Sequence, residues 1–225
     1  LRPRSRPFSV ASLALLCAAC VLSPALRAAA PTAVDASAPY SLIDSASQIL
    51  LQALDAHRGE YRKDPEKLYA LVDQTLLPHF DVEYAARLVL AQSWRTASPD
   101  QRTRFVNAFY KSLLRTYGDA LLEFTSDRMQ VFPVTVDPGA DRATVRTEVK
   151  RGDGDRIPVN YSVHKTADGW KAWDVTIEGI SYVKSFREDF ASEIAQKGLD
   201  AVIARLESGD FKAPGKGAAP AGKAT

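Results

Sequence analysis

The chain has 225 residues, 46% of them hydrophobic and 25% charged, which suits one compact domain with at most a small helical appendage. Its formal charge of +2 rests on the first thirty residues, which hold four arginines and no acid; beyond them 25 basic and 27 acidic side chains remain and the balance is −2. That excludes a basic nucleic-acid footprint, and with Cys17 and Cys20 both in the same stretch the remainder has neither disulfide nor thiol chemistry.

Arg2, Arg4 and Arg6 precede an apolar run over residues 10–22, which is too short to span a bilayer. The small residues of "SPALRAAAPTA" follow it. This is the pattern of a secretory signal with cleavage after Ala30, a permanent anchor being the alternative. Cys17 and Cys20 spell C-x-x-C inside that apolar segment, a poor setting for a redox or metal motif. A lipoprotein signal would need leucine where Cys17 stands. The segment 31–207 is therefore expected to form the folded domain. Residues 208–225, rich in Gly, Ala, Pro and Lys, have little to bury and read as a disordered tail.

Helices are predicted through the first half. Leu42, Ile43, Leu50, Leu51 and Leu54 form one stripe over 41–58. Asp64-Pro65 reads as an N-cap followed by proline in the first turn, with Leu68, Leu71, Val72 and Leu76 behind it and Pro78 as a stop. Asp81 can cap the next helix, which turns Ala85, Leu88 and Val89 inward and carries Trp94 near its end. "SPDQ" at 98–101 is a capping box. It opens the longest helix, expected to run about 26 residues or about 39 Å, along which Phe105, Phe109, Tyr110, Leu113, Tyr117, Leu121 and Phe124 mark a continuous stripe.

The period then changes from helical to alternating. "MQVFPVTV" (129–136) is a predicted strand that Pro133 pushes to an edge. Ala143, Val145, Thr147 and Val149 alternate with polar residues, as do Ile157, Val159, Tyr161 and Val163, and then Trp173, Val175 and Ile177. "DPGADR", "RGDGDR" and "ADGW" supply the turns of a meandering antiparallel sheet of about four strands. Gly179 ends the alternation. Tyr182, Val183, Phe186 and Phe190 follow at helical spacing over 181–197, and a last helix follows the break at Gly198.

No motif for chemistry survives inspection. "GISYV" lacks the second glycine of a nucleophile elbow, and "GDGDRI" and "GKGAAP" lack the third glycine of a dinucleotide loop. Asp153 and Asp155 lack the remaining acids of a calcium loop. His57, His79 and His164 have no metal-ligand spacing. The inward strand positions carry no acid or base, so the sequence argues against an enzyme and implies no cofactor and no metal.

"LLPHFDVEYAARLVLAQSWRTASPDQRTRFVNAFYKSLLRTYGDALLEF", "VRTEVK", "IPVNYSVHKTADGWKAWDVTIEGISYVKSFREDF" and "GLDAVIARL" resemble, in this order, the MlaC or toluene-tolerance family of periplasmic phospholipid-binding proteins. The resemblance covers roughly residues 40–207. It implies an α+β fold, a curved antiparallel sheet like that of nuclear transport factor two with packed helices and a helical subdomain. It also implies a periplasmic lipid shuttle, monomeric, between an inner-membrane ABC transporter complex and an outer-membrane lipoprotein–porin complex. A periplasmic enzyme on the same fold and a carrier of hopanoids or other lipids are the alternatives. In that family acyl chains lie between sheet and helices. The expected lipid-binding residues are therefore Val145, Val149, Val159, Tyr161, Val163, Trp173, Val175 and Ile177 on the sheet. Facing them are Leu88, Phe105, Phe109, Tyr110, Leu113 and Tyr117, with Tyr182, Val183 and Phe186 on an adjoining wall.

Overall fold

The computed structural model describes residues 31–150 and 154–211. The expected signal and most of the expected tail lie outside them. Helix α1 (Pro39–Lys63) starts on a proline in its first turn, where the missing N–H costs nothing. It kinks at His57, whose φ/ψ of −126°/15° is not helical. Helix α2 (Pro65–Thr75) follows at Asp64, which holds the N-cap position without a capping bond from its side chain. A 3-10 turn over Leu77–His79 leads to α3 (Val82–Leu90), capped by Asp81 Oδ1, which accepts from the Tyr84 N–H at 2.9 Å.

Trp94 lies not at the end of α3 but on a separate short helix, α4 (Gln92–Thr96). The chain turns between the two at Ala91 with φ +49°. The capping box then forms as its spacing requires: Ser98 Oγ accepts from Gln101 N–H while Gln101 Oε1 accepts from Ser98 N–H. Helix α5 (Pro99–Leu121) ends three residues before its apolar stripe does, so Phe124 lies beyond its end. Arg58 holds that end, donating to the carbonyls of Leu122 and Phe124 while pairing with Asp55 at 2.8 Å. A guanidinium on free terminal carbonyls satisfies groups that the helix cannot.

Five strands form one antiparallel meander in the order β1-β2-β3-β4-β5. They are β1 (Met129–Val131), β2 (Arg142–Lys150), β3 (Arg156–Thr166), β4 (Gly169–Ile177) and β5 (Ile180–Ser181). The expected first strand is cut short. Phe132 N–H still bonds Arg146 O at 3.0 Å, but Pro133 has no N–H to continue the ladder. The fifth strand arises because Glu178 and Gly179 both take positive φ, 50° and 83°, the requirement of a two-residue type I′ hairpin. Helices α6 (Tyr182–Lys197) and α7 (Leu199–Glu207) close the chain.

The apolar residues fall into separate clusters. α1 covers one end of the sheet, Leu42 and Ile43 packing with Val145, Val163, Trp170 and Ala172. The far half of α1 packs with α2 through Leu54, Tyr61 and Leu68. α3, α5, α6 and α7 form a helical subdomain around Val89, Phe105, Phe109, Phe186, Phe190 and Ile203. Phe211 joins it, its ring 5.7 Å from that of Phe186, so the first residues of the stretch read as a tail make contacts of their own. Among the described residues no helix is long and apolar enough to cross a membrane.

Candidate functional site

The register gathers the sheet residues read as one apolar face. Val145 pairs with Tyr161 and Tyr161 with Val175; Thr147 pairs with Val159 and Val159 with Ile177; Val149 pairs with Ile157. Opposed residues share a face, so Val145, Val149, Val159, Tyr161, Val163, Val175 and Ile177 form a single wall. Its two ends are closed. Val145 and Val163 are completely buried beneath α1, and Val149, Ile157 and Val159 are buried with Phe124 and Met129 beside them. Thr147, the polar member of the row, is also buried and satisfied, its hydroxyl donating to Val159 O at 2.6 Å. The middle stays partly open at Tyr161, Val175 and Ile177. Burial alone pushes the Tyr161 hydroxyl up to about 12, yet part of the side chain remains accessible. Crowding with residual access marks a recess and not a closed core.

Trp173 does not belong to this wall. Val163 pairs with Ala172 but Ser162 with Asp174, so a bulge leaves Trp173 without a partner and slips the alternation by one residue. Trp170 and Ala172 therefore share the wall's face, and Trp173 turns to the helical subdomain, edge-on to Tyr84 at 5.6 Å. Its indole N–H is buried with no partner among the described residues. Asp174 keeps the face opposite Val175 but is buried there against the start of α6. It accepts from Ser181 Oγ at 2.5 Å and Val183 N–H at 3.0 Å, pinning the start of α6 to the sheet. This acid is consumed by structure and does not point into the apolar recess.

The long helix also distributes its stripe differently from the expectation. Phe105 and Phe109 do not face the sheet. They stack at 5.5 Å and meet Phe186 and Phe190 edge-to-face at 5.0–5.6 Å, and all four are buried inside the helical subdomain. The 3.6-residue period fixes which residues share a face, not which neighbour that face meets. Phe186 and Val183 are core of the same cluster. Tyr110 turns to α2, its hydroxyl donating to Asp73, and burial together with that bond pushes its pKa up. Leu113 is partly buried against the helical cluster.

Tyr117 and Tyr182 form a tyrosine pair packed against the helical cluster. Their rings lie 5.7 Å apart, and both are half-buried. Burial pushes Tyr182 up to about 12; burial, then Tyr182 and Asp189, raise Tyr117. The Tyr117 hydroxyl is buried with no partner among the described residues, a position that costs free energy unless something else supplies a bond. Tyr182 directly follows β5, whose Ser181 pairs with Thr176, so α6 starts at the β4 edge of the sheet. Phe124, just past the end of α5, is the member of that stripe that packs beside Val149, Ile157 and Val159.

Leu88 lies elsewhere. It lines an open groove of about 740 Å³ with Arg87, Ala91, Gln92, Trp94, Arg95 and Arg187. A smaller hollow of about 190 Å³ sits between α1 and β1, lined by Asp44, Ser47, Gln48, Leu51, Gln52, Met129 and Val131. Neither hollow has a residue of the sheet wall's open centre in its lining. Among the described residues no group of three or more His, Cys, Asp or Glu could hold a metal ion. His164, on the opposite face of β3, bonds Asp81 Oδ2 at 3.0 Å and meets the Tyr84 ring at 4.6 Å with a 48° tilt, an arrangement that fastens α3 to the sheet.

Fold and site together define an α+β domain built around a partly open apolar sheet face, with a separate helical cluster. The chain belongs to the MlaC family: the family model described as "MlaC protein" matches residues 44–208. It is 32% identical over 168 residues to toluene tolerance protein ttg2D of Pseudomonas putida, covering 74% of this chain and 78% of that one. It is 22% identical over 179 residues to the intermembrane phospholipid transport system binding protein MlaC of Haemophilus influenzae, covering 78% and 84%. A phospholipid-binding protein from Ralstonia solanacearum, solved in complex with a phospholipid, shares the fold with TM-score 0.69 and 23% identity, over 75% of this chain and 94% of that chain.

Proposed function

We propose that this protein is a periplasmic phospholipid carrier whose acyl chains lie on the open centre of the sheet wall, against Tyr161, Val175 and Ile177. The observation that carries the reading is the gap in an otherwise covered face: apolar residues are buried at both ends and left accessible in the middle. Apolar side chains left partly accessible in the middle of a covered face are what an acyl chain can complete. The Tyr117 hydroxyl lacks a partner among the described residues, and we assign it to donate to an ester or headgroup oxygen of the bound lipid. Relatives named for phospholipid binding and transport support the choice of ligand.

Two acyl chains carry roughly 30 methylene groups at about 0.8 kcal/mol each, a gross value of about 24 kcal/mol. That exceeds the practical affinity limit of about 18 to 21 kcal/mol, so lipid dissolved in water is not the working reference state. Exchange between this wall and a bilayer, or another apolar host, is close to neutral. The carrier therefore works by docking, and direction is set by its partners. We place it between an inner-membrane ABC transporter complex and an outer-membrane lipoprotein–porin complex, with residues 1–30 as the export signal and 31–207 as the carrier domain.

Mass spectrometry of lipid extracted from natively purified protein tests the reading. Stoichiometric diacyl phospholipid is expected. A hopanoid or another lipid in its place would keep the carrier and change the cargo; lipid-free protein that takes up none from vesicles would overturn it.

A further inference from the structure

The groove on the helical subdomain is lined by three arginines from three helices, Arg87 of α3, Arg95 of α4 and Arg187 of α6, with Leu88 and Trp94 as its apolar surface. No carboxylate lines it, although Glu83, Glu188 and Asp189 lie on the same helices. None of the three guanidiniums has an ion-pair partner within 4 Å among the described residues. Beyond residue 30 the chain is net acidic, so this concentration of unpaired positive charge is local. Like charges held together without partners cost free energy. A ligand that neutralises them recovers it.

The groove is also held in shape. Arg87 lies over the Tyr84 ring at 4.8 Å, and Tyr84 is fixed by Arg142, which donates to its hydroxyl at 3.1 Å, and by a tilted ring contact with His164. Arg102 lies over Trp94 at 5.3 Å and donates to Trp94 O at 3.0 Å. Between these two supports Ala91 takes φ +49° and ψ −112°, a backbone state that an L-residue adopts only under constraint. That turn swings α4 away from the line of α3 and opens the space between Arg87 and Arg95.

We propose that this groove is a docking site for an acidic segment of a partner protein, one that presents two or more carboxylates around an apolar side chain. Guanidiniums bind carboxylates through paired hydrogen bonds, and Leu88 with Trp94 receives the apolar group, the arrangement of an interface anchor with a polar rim. A flat anionic bilayer fits less well. The site is concave, and Ile180 is the exposed large hydrophobic among the described residues, too little to anchor the protein in lipid. The groove shares no lining residue with the sheet wall, so the site stands apart from the cargo.

The test is fluorescence anisotropy with a labelled twelve-residue peptide of alternating Glu and Leu, and its Gln-for-Glu counterpart. The acidic peptide is expected to bind the native protein with an affinity that falls as salt rises, and the Gln peptide not to bind. R87E/R95E is expected to weaken the acidic peptide about tenfold or more, each tenfold being about 1.4 kcal/mol. K111E/K165E, an equal charge change at exposed positions elsewhere, should change it little. R95Q alone, at an exposed position, covers the case in which the double variant folds poorly. Equal loss in R87E/R95E and K111E/K165E, or no loss in either, overturns the proposal. So does binding of phosphatidylglycerol vesicles that depends on Arg87 and Arg95 when the peptide does not bind. Lipid content of the same samples separates this result from the carrier reading, since R87E/R95E should keep its extracted lipid.

Discussion

Replacing Val175 by tryptophan distinguishes a lipid wall from an ordinary core, because the structure supplies an internal control two positions away in the lattice. Val175 and Val163 lie on the same face, each opposed to a neighbouring strand, but Val163 is completely buried under α1 whereas Val175 is partly open. At Val163 an indole must displace packed side chains, which typically costs about 1–3 kcal/mol. For a domain of this size that is a fall of about 2–4 °C per kcal/mol. At Val175 the indole extends into the recess. If it takes the place of about four methylenes of an acyl chain at about 0.8 kcal/mol each, the lipid loses about 3 kcal/mol, or about two hundredfold in occupancy against a bilayer. The assay pairs extracted-lipid quantitation with thermal melting of delipidated protein. V175W should lose lipid and melt within a few degrees of native; V163W should melt lower. Were V175W to keep full lipid while melting like V163W, Val175 would be core and the wall assignment wrong.

Phe109, by contrast, is placed in the helical subdomain, and Phe109→Ala should cost about 3–5 kcal/mol of stability; a variant with native melting but no lipid would return Phe109 to the pocket. Tyr117→Phe removes a buried hydroxyl that has no partner, so the lipid-free form should be as stable or more stable, while lipid exchange quickens if that hydroxyl holds the headgroup; a clear loss of apo stability would reveal a partner and refute the reading. Glu193 is held below its ordinary pKa by two hydrogen bonds from Arg205, at 2.9 and 2.6 Å. A depressed carboxyl contributes stability above its unfolded value of 4.5 and loses it as pH falls through the folded value. Denaturant melts of Glu193→Gln should therefore show a shallower acid limb than native protein, and identical limbs would contradict the assignment.

Much of this architecture was legible because local rules and tertiary packing agree. The alternation of β2 and β3, the Ser98–Gln101 box and the Asp81 cap each follow from a short window, and each forms as written. The β4 wall was misread by one residue. Period-two counting assumes an unbroken ladder, and nothing in "KAWDVTI" announces the bulge that sends Trp173 to the helices, or the α6 contacts that bury Asp174 on the face read as polar. The partner of the α5 stripe was equally hidden, since Phe105 and Phe109 satisfy their pattern against α6 as well as against a sheet. Tyr117 carried the clearest usable signal, a polar tip on an apolar stripe. The arginine groove depends on the turn at Ala91, where no glycine or proline marks a break, so its three contributors look unrelated in the sequence.

The most direct measurement is the contact between acyl chain and wall. Isotope-filtered nuclear Overhauser spectra of methyl-labelled, lipid-loaded protein read it without mutation. Acyl protons should show cross-peaks to the methyls of Val175 and Ile177 and none to Val89 or Ile203, which are buried in the helical subdomain. Cross-peaks confined to the helical methyls, or to Leu88 in the arginine groove, would contradict a sheet-borne lipid site.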